Sequence, residues 1–199
     1  MATKTKAVLD RRAVVKAILE QRDGALVVTG LGSCTYDAGA VGDHPHTFYL
    51  WGGMGAAAMM GLGLALAQPR RKVLVITGDG EVLMGLGALA TIGAERPPNL
   101  AIVVIDNELY SETGMQRTHT SRGVDLAGMA QAANFARTGT IYSRKELASW
   151  IPDLYGFTGP AFLDIKVTSA RYPMALRLRD GTHIKNRFRE ALLGAKAFE

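Results

Sequence analysis

Residues 72–80 read Lys-Val-Leu-Val-Ile-Thr-Gly-Asp-Gly, and residues 100–107 read Leu-Ala-Ile-Val-Val-Ile-Asp-Asn. Each is a short apolar run, rich in β-branched residues and cut off by residues that favour turns. A run of this length without polar–apolar alternation predicts a strand buried on both faces. Between the two, a helix is expected from about Leu83 to Ala94, closed by Pro97-Pro98. Strand, helix, strand is a parallel crossover, the unit from which helix-covered open sheets are built.

The same alternation continues in both directions. Upstream, a helix is expected near Asp10–Gln21 with Ala13, Val14, Ala17 and Ile18 on its apolar face. A strand follows at Ala25–Thr29, ending in the loop Gly30–Ser33, and a shorter strand at Thr47–Leu50 leads into an Ala/Gly-rich helix. Downstream, Asp125 is placed to cap a helix to Ala133, and Ser143 with Glu146 forms a capping box for a helix to about Leu154. A last strand at Ala161–Val167 precedes a helix near Thr182–Leu193. The fold class is α/β: a doubly wound, mostly parallel sheet with helices on both faces, spanning residues 1–169. Residues 170–199 form a basic C-terminal extension.

Composition narrows the function classes. Of 199 residues, 48% are hydrophobic and 21% charged, which excludes a disordered, collagenous or disulfide-stapled chain. The single cysteine, Cys34, cannot form an internal disulfide, so a cytoplasmic location is expected. Net charge is +5, of which the extension carries +4; the first 169 residues hold 16 basic against 15 acidic side chains. A basic tail with little aromatic interleaving does not read as a nucleic-acid arm. Met1–Asp10 lacks the apolar core of a signal peptide. The uncharged stretch Trp51–Gln68 is so rich in Gly and Ala that it reads as a packed internal helix, not a membrane span.

The unusual residues gather at strand ends, where open α/β sheets bind ligands. Gly30–Ser33 follows the first strand, Trp51–Gly55 the second, Gly78-Asp79-Gly80 the third and Asp106–Gln116 the fourth. Glycines there let backbone amides approach an anion. No Gly-x-x-x-x-Gly-Lys-Ser/Thr loop is present, and no Gly-x-Gly-x-x-Gly directly follows a strand. Asp79 and Asn107 remain as hard oxygen donors at neighbouring strand ends, suited to magnesium bridging to a diphosphate. His44 and His46 lack acidic or cysteine partners in sequence and read as a solvated loop. Cys34 lacks an identifiable base and reads as a packing residue.

Gly78-Asp79-Gly80, followed after 26 residues by Asn107, resembles the diphosphate motif of thiamine-diphosphate enzymes. Asp106 stands where the usual pair begins with Asn. Trp51-Gly52-Gly53-Met54-Gly55 is similar to that family's cofactor-bending segment. The stretch Asp106–Gln116 resembles the β subunits of sulfopyruvate and phosphonopyruvate decarboxylases, with Glu112 in place of a serine. The resemblance implies thiamine diphosphate and Mg2+ as cofactors. Asp79, the Asn107 side chain and the Leu109 carbonyl would be metal ligands. Amides of Gly80 and Glu81, with Gly32 or Ser33, would hold the diphosphate beside Gly78. Gly52 would offer its carbonyl to the cofactor's amino group, and Met54 would wedge its rings. Arg117, His119 and Arg122, in the polar loop Glu108–Gly123, are candidates for reading an anionic substrate; that loop is expected to be mobile without ligand and to close on substrate.

In this family a second, pyrimidine-binding domain supplies the glutamate that activates the cofactor. Glu81, Glu95 and Glu108 all fall in the diphosphate half, so the catalytic acid is unknown within this chain. The resemblance therefore implies a split decarboxylase of a small 2-oxo acid, hetero-oligomeric with a pyrimidine-binding subunit, and involving neither nucleic acid nor membrane. Two alternatives remain: a carboligating, acetolactate-synthase-like subunit, and a non-catalytic cofactor-binding assembly subunit.

Overall fold

A computed structural model describes residues 9–175 and 178–198. Residues 1–8, in which no signal peptide is expected, and Arg177 and Glu199 of the basic tail lie outside the described residues. Six strands form one sheet in the order β2-β1-β3-β4-β8-β7, and every neighbouring pair is parallel. They are β1 (Leu26–Thr29), β2 (Thr47–Tyr49), β3 (Val73–Gly78), β4 (Leu100–Asp106), β7 (Arg137–Ile141) and β8 (Ala161–Lys166). A separate two-stranded hairpin joins β5 (Leu109–Tyr110) to β6 (Gln116–Arg117). The doubly wound architecture read from the sequence is the architecture found.

Successive strand residues face opposite sides, and each side has its own helices. One core layer sets Val27, Leu74, Ile76, Val103 and Leu163 against Val14 and Ile18 of α1 (Arg11–Leu19) and Leu147 and Ile151 of α7 (Arg144–Gly156). The other sets Val75, Ile102, Val104 and Phe162 against Leu62 of α3 (Ala57–Ala67), Ile92 of α5 (Gly87–Glu95) and Leu126 of α6 (Leu126–Ala132). The caps expected at Asp125 and Ser143 are found, and α1 has one as well. Asp10 accepts from the Ala13 amide, Asp125 from Gly128, and Ser143 with Glu146 closes a full capping box.

The basic extension folds back over the domain. Tyr172 is flanked by the guanidinium groups of Arg11 and Arg12. Helix α8 (Gly181–Leu193) then buries Ile184 and Phe188 along the β2 edge, with Phe188 edge-to-face on Phe48 at 5.8 Å. Arg187 pairs with Asp43 and donates to the Thr47 carbonyl, so part of the tail's charge is spent on covering an edge strand.

Four features depart from the sequence expectations. Ala13 is solvent-exposed, and Val15 and Leu19 are buried in its place on α1. Residues after Gly32 do not remain a loop: they form α2 (Ser33–Val41), whose inner face is held by a buried ion pair of Asp37 with Arg11 and Arg12. The single helix expected at Leu83–Ala94 is two, α4 (Asp79–Met84) and α5, broken at Gly85. A side chain at Gly85 would collide with the Gly55 carbonyl, and that close approach stops α4. Strand β7 was hidden in a polar segment. Among the described residues, no helix is long and apolar enough to cross a membrane.

Candidate functional site

Because β3 and β4 are paired with Gly78 opposite Ile105, their carboxyl ends deliver Asp79 and Asp106 side by side. A cleft at this edge is lined by Ser33, Met54, Gly78, Asp79, Gly80, Glu81, Asn107 and Leu109, eight residues singled out from the sequence. Gly32 is buried beside it, at φ +72°, and starts α2. Gly52 is exposed and outside the lining. Arg117, His119 and Arg122 are also exposed and do not line this cleft.

The two acidic residues of the turn after β3 have different surroundings. Asp79 is 2% exposed, and its Oδ2 accepts from the Thr118 hydroxyl at 2.6 Å, with the Thr120 hydroxyl at 3.3 Å. Burial, then the neighbouring Asp106, pushes its carboxyl up to about 8. Glu81 turns the other way. Its Oε2 accepts from the Thr77 hydroxyl at 2.8 Å and the Leu31 amide at 3.0 Å, and its Oε1 from the Ala57 amide at 3.4 Å. That carboxylate ties the ends of β1 and β3 to the start of α3. A side chain on Gly30 would strike it, which is why glycine stands there. Burial raises the Glu81 carboxyl, while these hydrogen bonds oppose the rise.

The segment after β4 is more ordered than its polar sequence suggests. Asp106, fully buried, accepts from the Glu108 amide at 2.8 Å and the Thr120 hydroxyl at 3.0 Å. Asn107 Oδ1 accepts from the Leu109 amide at 3.0 Å, and its Nδ2 donates to the Ser111 hydroxyl at 2.8 Å. The β5–β6 hairpin then lies over the cleft. The Tyr110 ring covers Gly80, and the Glu112 side chain packs on Gly32. The remaining cleft encloses only about 60 Å³. A single 3₁₀ turn, His119–Arg122, closes the segment with Thr120 turned inward. The segment read as a polar loop contains a hairpin and a 3₁₀ turn, with Thr118 and Thr120 anchoring it to two buried carboxylates.

The donor set suits magnesium. Asp79, Asn107 and the Leu109 carbonyl offer only oxygens, the preference of a hard divalent cation. Beyond them, Asp106 and Asp164 are buried against the single ammonium of Lys166. Three buried carboxyl groups share one cationic side chain, and their burial and mutual repulsion favour uptake of a proton or of a divalent ion. The Gly78-Asp79-Gly80 turn brings backbone beside that charge, as a bridged diphosphate requires. No cluster of three or more His, Cys, Asp or Glu side chains suited to a metal occurs among the described residues. His46 contacts the Ala191 carbonyl and Arg71. Cys34 is free and fully buried, its thiol pushed well up by burial, as befits a packing residue.

Several residues of the site had escaped the sequence reading. Arg11 lines the cleft but is engaged by Asp37 and by the Ser33 and Ala170 carbonyls. Tyr110 and Glu112 stood inside the quoted motif without a role. Thr118 and Thr120 carry no sequence signal of their own: they stand among charged residues at the start of a 3₁₀ turn, and only the fold brings both to the buried carboxylates.

Comparison with known proteins agrees with this geometry. Residues 30–165 match the model described as "Thiamine pyrophosphate enzyme, C-terminal TPP binding domain". The chain is 34% identical over 187 residues to the sulfopyruvate decarboxylase subunit beta of Methanothermobacter thermautotrophicus, covering 94% of this chain and 97% of that one. It is 37% identical over 155 residues to phosphonopyruvate decarboxylase of Streptomyces viridochromogenes, covering 78% of this chain but only 38% of that longer protein. Acetolactate synthases are more distant. Among solved structures, the thiamine diphosphate-dependent 4-hydroxybenzoylformate decarboxylase of Rhodococcus jostii RHA1 superposes with a TM-score of 0.67 at 17% identity. That superposition covers 86% of this chain and 35% of the other, and bears on the fold alone.

Proposed function

This chain belongs to the thiamine pyrophosphate enzymes as their C-terminal cofactor-binding domain, in the manner of a sulfopyruvate decarboxylase β subunit, and we propose that it is the diphosphate- and magnesium-binding subunit of a split 2-oxo acid decarboxylase. The observation that carries this reading is the meeting of Asp79 and Asn107 at adjacent strand ends, beside the Gly78–Gly80 turn. In this reading Asp79, Asn107 and the Leu109 carbonyl hold the ion. The amides of Gly80 and Glu81, with Gly32 or Ser33 across the cleft, face the diphosphate. Gly80 is covered by Tyr110, and Gly32 by Glu112, so the β5–β6 hairpin shifts when that anion enters. Met54 bounds the cleft on its apolar side, and Gly52 lies at the exposed end of the same segment. Bound thiamine diphosphate supplies the electron sink for loss of carbon dioxide.

The rest of the reading concerns what lies outside this chain. Glu81 is committed to holding three loops together, so the glutamate that activates the cofactor comes from a partner carrying the pyrimidine-binding domain. The partner's seat is an apolar surface beside the cleft: Trp51, Met59, Leu66 and Met84 are 42%, 41%, 51% and 60% exposed. Met59 and Leu66, two helical turns apart, put one uncharged face of α3 toward solvent. Arg117, His119 and Arg122, on the outer rim, read the substrate's anionic group when the hairpin shifts. A reduced, buried Cys34 suits a cytoplasmic enzyme.

The test is carbon dioxide release from a panel of 2-oxo acids, sulfonated, phosphonated and plain, by the purified chain with and without a pyrimidine-domain subunit. The chain alone is expected to be silent and the pair active, with free aldehyde as the product. Robust turnover by the 199-residue chain alone would overturn the split, and a silent reconstituted pair would favour an assembly role. A carbon–carbon condensation product would indicate carboligation.

A further inference from the structure

Behind the ion site lies a buried ion-pair network that the proposed chemistry does not use. Strands β4 and β8 run in register with Val104 opposite Asp164 and Asp106 opposite Lys166. Those four positions put Asp106, Asp164 and Lys166 on one face of the sheet, all at its carboxyl edge. Lys166 Nζ pairs with Asp106 Oδ2 and, at 3.1 Å, with Asp164 Oδ2. The Lys166 side chain is 12% exposed, and the Asp106 and Asp164 side chains 0% and 2%.

Asp106 uses its other oxygen on the ion site. Oδ1 accepts from the Glu108 amide, fixing the turn that carries Asn107, and from Thr120. Thr120 lies 2.9 Å from the Thr118 hydroxyl, which donates to Asp79. Each threonine has one hydroxyl proton. The shortest bond of Thr118 is the one to Asp79 at 2.6 Å, and between the two carboxylates Thr120 lies nearer Asp106, at 3.0 Å against 3.3 Å for Asp79. A continuous path therefore runs from Lys166 through Asp106 to both metal-binding elements. It reaches the Asn107 turn by one oxygen contact and Asp79 through two hydroxyls.

We propose that Lys166 is a positioning residue for the metal site: its ion pair with Asp106 holds the turn that presents Asn107 and Leu109 and the threonine bridge that sets Asp79. This rests on the magnesium assignment above. Removing one partner of a buried pair leaves a lone buried charge, whereas neutralising both partners removes that problem. With Lys166 gone, Asp106 must find another cation or a proton, and its hold on Glu108 and Thr120 is disturbed. An asparagine at 106 keeps an Oδ1 acceptor for those two donors without needing the lysine. Asp164 loses its ammonium equally in the single and double variants. Their difference therefore isolates the Asp106 pair.

The experiment reads the Mg2+ concentration giving half of the thiamine diphosphate-dependent thermal stabilisation, together with the melting temperature without ligands. Four proteins are compared: the parent, Lys166→Met, Lys166→Arg and Asp106→Asn/Lys166→Met. Residues that orient metal ligands typically contribute about 10–100-fold in metal affinity. Lys166→Met should raise the Mg2+ midpoint by about tenfold or more, while Lys166→Arg and the double variant should return it to within about threefold of the parent. A merely structural lysine would lower the ligand-free melting temperature and leave the Mg2+ midpoint unmoved, which would overturn the proposal. If Lys166→Met does not fold, the double variant must fold and bind Mg2+ like the parent, and its failure would be equally decisive. A parent without Mg2+-dependent binding would defeat the metal assignment itself and this proposal with it. A parent that binds, with Lys166→Met binding identically, would defeat the positioning role alone.

Discussion

The turn after β3 and the segment after β4 meet at the same cleft, yet they are built in opposite ways. Residues Gly78–Glu81 take their shape from a strand end and the first turn of α4, so neighbours in sequence fix the backbone. Residues 107–123 hold their shape through Thr118 and Thr120, which reach across to Asp79 and Asp106 from other elements. Within the first turn, Asp79 and Glu81 also differ. Glu81 is satisfied by three donors, whereas Asp79, held by two threonine hydroxyls, is buried beside another carboxylate. One acidic residue serves the fold, and the other is the one proposed to take a cation.

That contrast is broken or sharpened by substitution. The largest expected effect is Asp79→Ala, which should abolish the rise in melting temperature with thiamine diphosphate and Mg2+. At one hundred times the dissociation constant that rise corresponds to about 2.7 kcal/mol. The fold should survive at a cost of about 1–3 kcal/mol, since the buried Thr118 hydroxyl loses its acceptor. Glu81→Ala should do the reverse, costing about 1–3 kcal/mol in denaturant unfolding whether or not cofactor is present, since it strands the Leu31 amide and Thr77 hydroxyl. If the Glu81 loss appeared only with cofactor, the division between the two residues would be wrong.

A pH series separates the regions further. Burial and then Asp106 push Asp164 up to about 7 in the folded chain, against an ordinary carboxylate value near 4 in the unfolded one. Between those values the folded state holds a proton that the unfolded state has released. Stability of the metal-free chain should therefore fall as pH rises from about 4 to about 7, by up to about 1.4 kcal/mol per pH unit for this group. Asp164→Asn should flatten that slope in urea titrations, and an unchanged slope would remove Asp164 from the account. The smallest effect is expected at the rim. Arg117→Ala and Arg122→Ala should shift the preference for dianionic over monoanionic 2-oxo acids by about fivefold or less, as suits exposed charges. No shift in either variant would take the rim out of substrate reading.

What the sequence disclosed follows the same line between local and distant determinants. The central strands were legible because Val73–Ile76 and Leu100–Ile105 are apolar runs that end at turn residues. The helices capped by Asp125 and Ser143 were legible because those side chains act on amides only three residues away. Strand β7, Arg-Thr-Gly-Thr-Ile, was not, because it is an edge strand with partly buried residues, and its Gly139 is demanded by the Trp150 ring of another element. Helix α2 lacked an apolar stripe, since a buried Arg11–Asp37–Arg12 cluster does that work. Asp79 and Asn107 could be found as oxygen donors at strand ends, but Lys166, sixty residues beyond Asp106, joins them only through strand register. The loop's arginines drew notice by their charge, while the threonines beside them make the contacts.

The most direct test is isothermal titration of the purified chain with thiamine diphosphate, in excess Mg2+ and again with the ion chelated, alongside thiamine lacking the diphosphate. Binding should require both the ion and the diphosphate, so that chelation or loss of the phosphates each removes the heat signal. Equal binding with the ion chelated, or equal binding of unphosphorylated thiamine, would contradict the assignment of Asp79 and Asn107 as the ion's seat.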